Sequence, residues 1–157
     1  MTTPSIVPTK YHGDYRDFLN TKVDRDGCAR MQYSTVSVPS GTVITTIVGL
    51  VPFNKGFRLS YGSKMYIENV GDGSFTFDVG YVYKTGSSET DDPDAFASAL
   101  TTGQAGGLIT FDEEEGLVWV AADDGWIAIT TAGSTTDNTG AVSGQFLGVY
   151  DGLVAAN

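Results

Sequence analysis

The 19 carboxylates are the side chains in this sequence whose clustering could do chemistry. Asp112-Glu113-Glu114-Glu115-Gly116 and Asp123-Asp124-Gly125 bracket a strand predicted over Leu117–Ala121 that contains Trp119. That spacing puts the two acidic runs at opposite ends of one hairpin. Two carboxyl groups beside an indole would suit glycoside cleavage, one protonating the leaving oxygen and the other acting as nucleophile or base. The same residues also read as solvated turns, because Asp-Gly is a favoured hairpin dipeptide. Acidic turns are ordinary in β-domains, so the turn reading is taken and no catalytic residue is assigned.

The other reactive types are scarce. His12 is the sole histidine and Cys28 the sole cysteine, so neither a nucleophile–histidine pair on a rigid scaffold nor a zinc site is expected. Asp91, Asp92 and Asp94 lack the spacing of a calcium loop that ends in a distal Glu. No phosphate-binding glycine loop or G-x-S-x-G elbow occurs. The sequence therefore calls for no cofactor. Trp119 and Trp126, on adjacent predicted strands, read as core or interface residues, with a sugar-stacking platform as the alternative.

The elements that would position these groups are strands. The chain has 157 residues, 41% of them hydrophobic and 18% charged, with 20 glycines. This length suits one domain with its own core, and the composition favours short strands with tight turns over a helical bundle. Strands are predicted at Ser34–Val38, from Thr42 to Val51 with a stop at Pro52, around Phe57–Tyr61 and around Met65–Ile67. The clearest one follows the turn Gly71-Asp72-Gly73, where Phe75, Phe77, Val79, Tyr81 and Tyr83 alternate with small or polar residues. Further strands are predicted at Leu108–Phe111, Leu117–Ala121, Trp126–Thr131 and Ala141–Tyr150. In the last, Gly144 and Gly148 mark bulges or close contacts. Asp92–Leu100 (DPDAFASAL) reads as one short helix with Pro93 in its first turn. The expected fold is an all-β antiparallel sandwich or jelly roll of about eight strands with one short helix.

Residues 1–29 differ from this body. They hold Pro4, Pro8 and no sustained period, and are read as an extended N-terminal arm preceding a sandwich over 30–157. Lys10, Arg16, Lys22, Arg25 and Arg30 nearly balance Asp14, Asp17, Asp24 and Asp26, so the net charge of −10 lies almost wholly in the body. An acidic body disfavours direct contact with nucleic acid. No apolar run is long enough to span a bilayer and no secretory leader is evident, so a soluble protein is expected.

The stretches Met65–Gly80 (MYIENVGDGSFTFDVG), Asp92–Leu100, Asp124–Ala132 (DGWIAITTA) and Gly144–Tyr150 (GQFLGVY) together resemble the small jelly-roll structural proteins of tailed bacteriophages. The resemblance covers residues 60–150 in texture and order. It implies a virion component folded in the host cytoplasm and carried on the capsid surface. There it would be a decoration or cement protein, a homotrimer that binds the major capsid protein and grips it with an arm. Tyr11, Tyr15 and Phe18 would be the anchors of that arm, and Arg16, Arg25 and Arg30 its charged contacts. A tail- or fibre-associated carbohydrate- or receptor-binding module is the alternative.

Overall fold

A computed structural model describes residues 4–6, 11–12, 29–60, 62–111 and 113–150. Among them lie ten strands: β1 (Tyr11–His12), β2 (Ala29–Val38), β3 (Ile47–Phe53), β4 (Phe57–Leu59), β5 (Lys64–Ile67), β6 (Thr76–Tyr83), β7 (Asp92–Leu100), β8 (Gly107–Ile109), β9 (Gly125–Ala132) and β10 (Gly140–Tyr150). One sheet runs β1-β2-β10-β5-β8, with β4 pairing to the far end of β10; the other runs β3-β9-β6-β7. All these strand pairs are antiparallel. Without β1 and β4, the two four-stranded layers have the order of a jelly roll.

Alternation explains why these segments pair and stack. Lys64 and Tyr66 of β5 are exposed while Met65 and Ile67 are buried, and β4 buries Phe57 and Leu59 around exposed Arg58. The inner faces join in one core that includes Val36, Val142 and Phe146 from the first sheet and Leu50, Phe77, Val79, Ile127 and Ile129 from the second. Each such fully buried side chain contributes roughly 1.5–3 kcal/mol. That sum is what offsets the ordering of so many short strands.

Two elements differ from the sequence reading. Asp92–Leu100 is not a helix but β7, an edge strand on β6, joined through Phe77↔Leu100, Val79↔Ala97 and Tyr81↔Asp92 with register shifts between these pairs. Nine residues are too few for a stable isolated helix. Pairing instead buries Ala95, Phe96 and Ala97 in succession, and the edge position tolerates Pro93. The bulge places Ala99 at φ 50, and its N–H donates to Asp78 Oδ1 at 2.7 Å. Conversely, the strand expected at Leu117–Ala121 is absent. A single helical turn, α1 (Glu114–Val118), stands there instead. Its acidic start complements the helix dipole, and Gly116 lets it lie against Phe96 and the Ala95 carbonyl.

Smaller shifts have similar causes. The strand expected from Thr42 begins only at Ile47 and runs through Pro52 to Phe53. As an edge strand β3 can accommodate a residue without an N–H. The strand expected at Leu108–Phe111 shortens to Gly107–Ile109.

The close contacts expected at Gly144 and Gly148 are present. Both glycines are buried in β10, and a Cβ on Gly148 would run into the Phe57 ring. Gly148→Ala is therefore expected to lower stability by about 1–3 kcal/mol, the usual cost of overpacking. Gly73→Ala, where a Cβ would meet open space, should stay within about 0.5 kcal/mol of wild type. Urea unfolding of the two variants checks both values.

Candidate partner-binding surface

The N-terminal segment meets both sheets. Ser5 N–H donates to the Ile47 carbonyl at 2.9 Å, and Gly49 N–H donates to the Ile6 carbonyl at 2.7 Å. Ile6 and Val48 thereby form a parallel bridge on the outer edge of β3, and Ile6 packs against the core. Pro4 is buried and occupies the space beside Gly49 where a side chain would otherwise stand. Tyr11 and His12 then pair with Ser34 and Tyr33 on the edge of β2.

Of the residues predicted to touch a partner, Tyr11 thus lies in β1 opposite Ser34, and Arg30 in β2 opposite Gly148. Tyr15, Arg16, Phe18 and Arg25 lie outside the described residues, as does Cys28. The structure therefore brings the backbone of Tyr11 and Arg30 into one sheet.

The sequence reading missed a segregation of charge. No charged side chain occurs from Met31 to Asn54, from Gly125 to Thr136, or from Asn138 to Tyr150. These runs build β2 beyond Arg30, β3, β9 and β10, which neighbour one another in the two sheets, with β2 packed over β3. These strands therefore adjoin one another without a charged side chain, though Asp137 lies between β9 and β10 and Arg58 of β4 pairs beside the end of β10. The uncharged runs were visible in the sequence; that they fold beside one another was not.

On the outer face of the first sheet, Met31, Tyr33, Tyr66 and Leu108 are exposed. The Tyr33 hydroxyl and the Gln145 amide both approach Met31 Sδ, at 2.8 and 2.7 Å. Thr35 and Ser143 hydroxyls meet at 3.1 Å across the β2–β10 pair. The face is amphipathic and, on these strands, free of carboxylates, with Lys64 and Arg58 exposed on it.

One group of acids stands at the β7 edge. Asp92, Asp94, Ser98 and Glu113 line a depression of about 200 Å³, in which Ser98 Oγ donates to Glu113 Oε1 at 2.9 Å. Among the described residues no group of three or more His, Cys, Asp or Glu side chains is placed to hold a metal ion. No helix among them is long and apolar enough to cross a membrane.

Asp123 and Asp124 form a fixed turn. Lys84 Nζ lies 2.9 Å from Asp123 Oδ1 and 3.1 Å from Asp124 Oδ2. The Lys55 N–H donates to Asp124 Oδ1 at 3.1 Å. The Lys84 ammonium, and then the Asp124 N–H, hold the Asp123 carboxyl down at about 2. A glycosidase acid needs the opposite shift, a carboxyl kept protonated near neutrality. Trp119 does not lie on a strand beside Trp126. It leaves α1 to enter an aromatic cluster, stacked on Tyr81 at 4.5 Å and edge-to-face with Phe53 at 5.1 Å and Phe96 at 5.4 Å. The ring contacts that would serve a sugar platform are taken by the protein's own core.

No family model matches the chain, and no curated protein matches it. Among solved structures it is similar to a chain of the capsid of Ralstonia phage GP4, with 16% identity and a TM-score of 0.61, covering 78% of this chain and 86% of that one. It is also similar to a chain of the cyanophage Pam1 capsid asymmetric unit, with 19% identity and a TM-score of 0.56, covering 79% and 86%. The fold is shared with these two chains.

The Lys84–Asp123 pair has a signature in pH. The folded Asp123 carboxyl titrates below its ordinary value of 3.8, so its stabilising contribution is full above 3.8 and is lost as pH falls towards about 2. Lys84 is shifted upward, so its contribution holds below 10.5 and is lost as pH rises above that value. Asp123→Asn is expected to flatten the acid limb of a plot of unfolding midpoint against pH. The same plot for wild type should fall between pH 3.8 and about 2.

Proposed function

We propose that this chain is a virion structural protein, specifically a capsid decoration (cement) protein of a tailed bacteriophage. In this reading it sits on the capsid surface, binds the major capsid protein lattice and stabilises the shell. The observation that carries it is the shared jelly roll, which spans 86% of a chain in each of two phage capsids. The physical features agree with such a role. A sandwich with a continuous core is a stiff block, and its acidic turns are tied down by a lysine.

A shell under outward pressure gains from added interface between neighbouring subunits. A homotrimer would supply three copies of one modest contact and convert them into avidity. Tyr11, Tyr15 and Phe18 would anchor the N-terminal segment on the major capsid protein, and Arg16, Arg25 and Arg30 would steer and orient it. Ile6 packs on the core and β1 adds to β2, so the N-terminal segment is held to the body at these described points. Catalysis has no part in this role, and neither does contact with nucleic acid.

The test is binding to shells of the phage that encodes the chain, prepared without it, followed by co-sedimentation. Full-length protein is expected to bind saturably and to run as a trimer by light scattering. Tyr15→Ala and Phe18→Ala should each weaken binding by about tenfold or more, since buried aromatics dominate interfaces. Arg16→Ala should cost less and reduce the dependence on salt. Saturable binding unchanged by both aromatic substitutions would remove the arm from the interface. A full-length chain that does not bind such shells would overturn the reading.

A further inference from the structure

Each sheet of an open sandwich ends in a strand whose outer N–H and C=O groups invite a strand from another chain. Most edges of this molecule are blunted by their own sequence. β8 has three residues and β1 has two. On β4, the Phe57 carbonyl accepts from the Ala121 N–H at 2.8 Å. β7 carries register shifts together with exposed Pro93 and Asp94, each of which resists pairing.

β3 is different. Its seven residues, IVGLVPF, hold no charge, and all but Ile47 are buried. Two devices guard its later half. Ser34 Oγ donates to the Leu50 carbonyl at 2.7 Å, and Pro52 has no N–H to offer. Neither reaches the stretch from Ile47 to Gly49.

Residues 4–6 cover that stretch. The Ser5 N–H donates to the Ile47 carbonyl at 2.9 Å, and the Gly49 N–H to the Ile6 carbonyl at 2.7 Å. Side chains then fix the register. Pro4 is buried in a notch that exists because position 49 is glycine. A Cβ on Gly49 would stand 2.9 Å from Pro4 Cβ and Cγ, and equally close to Trp126 Cε3. Ile6, two residues on, packs against the core. Of the five prolines, Pro4 alone is followed two residues later by a branched aliphatic side chain. No other segment of the chain repeats the match.

We infer that residues 4–6 are an edge guard, closing the part of β3 that its own sequence leaves open to a second copy of this chain. With the guard withdrawn, the β3 edges of two copies would pair across a twofold axis and join their second sheets into one. The strand has no charge to oppose such pairing. The inference does not depend on the proposed function, since it concerns what the segment does to the body rather than to a shell.

The experiment compares full-length wild type with Pro4→Gly/Ile6→Gly, which empties the notch and removes the core contact without adding charge. Ser5→Ala is the control, because the Ser5 side chain is exposed and its contribution is a backbone bond. In the double variant the Gly49 amide is expected to exchange with deuterium about tenfold or more faster than in wild type. Its mass by light scattering should rise with concentration to about twice that of wild type or more. A synthetic peptide of residues 2–9 in excess should restore the wild-type mass, and the same peptide carrying both substitutions should not. The control should match wild type throughout. A folded double variant that keeps the wild-type mass overturns the guard. So does association that the peptide does not reverse, or equal association in Ser5→Ala. If the double variant does not fold, Pro4→Gly is used instead. There a peptide-reversible rise in mass with faster Gly49 exchange supports the guard, and an unchanged mass overturns it.

Discussion

Strand β10 carries the first sheet, and its constraint is space. It pairs along its length with β2 on one side and with β5 and then β4 on the other. Phe146 from this strand and Phe57 from β4 are among the largest fully buried side chains. Their rings reach the core only because Gly144 and Gly148 present bare backbone, and a methyl at either position would collide with one of them. The second sheet closes on that surface through Leu50, Ile127, Ile129, Phe77 and Val79. The close packing of a protein interior makes such a contact all-or-none, so two glycines set the spacing on which both layers depend.

Onto this frame the sequence lays charge in an uneven way. The strands built from uncharged runs adjoin one another, while carboxylates stand on β6 and β7 and in the loops, Asp137 between β9 and β10 among them. A body of net charge −10 repels other acidic surfaces. Approach along the strands that carry no charged side chain reduces that repulsion. Two of these strands receive the N-terminal segment, with Ile6 on β3 and Tyr11 on β2.

Much of the fold was legible because period and punctuation agreed. The Gly71-Asp72-Gly73 turn and the alternation after it locate β6, and the glycines of the final segment signal the close contacts of β10. Asp92–Leu100 misled because Asp-Pro followed by alanines fits a helix start as well as a bulged edge strand. What decides is the burial of Phe96 against Trp119 and Phe111, a tertiary contact that no local rule contains. Trp119 was placed on a strand for the same reason. Its surroundings come from β3, β4, β6 and β7, distant in sequence. Of the proposed arm contacts, Tyr15, Arg16, Phe18 and Arg25 lie outside the described residues. The loop at Val43 and Ile44 was hidden inside a β-branched run, and the bonds from Thr131 and Thr136 separate it from β3.

The most direct measurement is a cryo-electron microscopy reconstruction of the phage particle at a resolution that traces strands. The expected result is this jelly roll repeated over the capsid lattice. Density for the chain confined to the tail, or absent from the lattice, would contradict it.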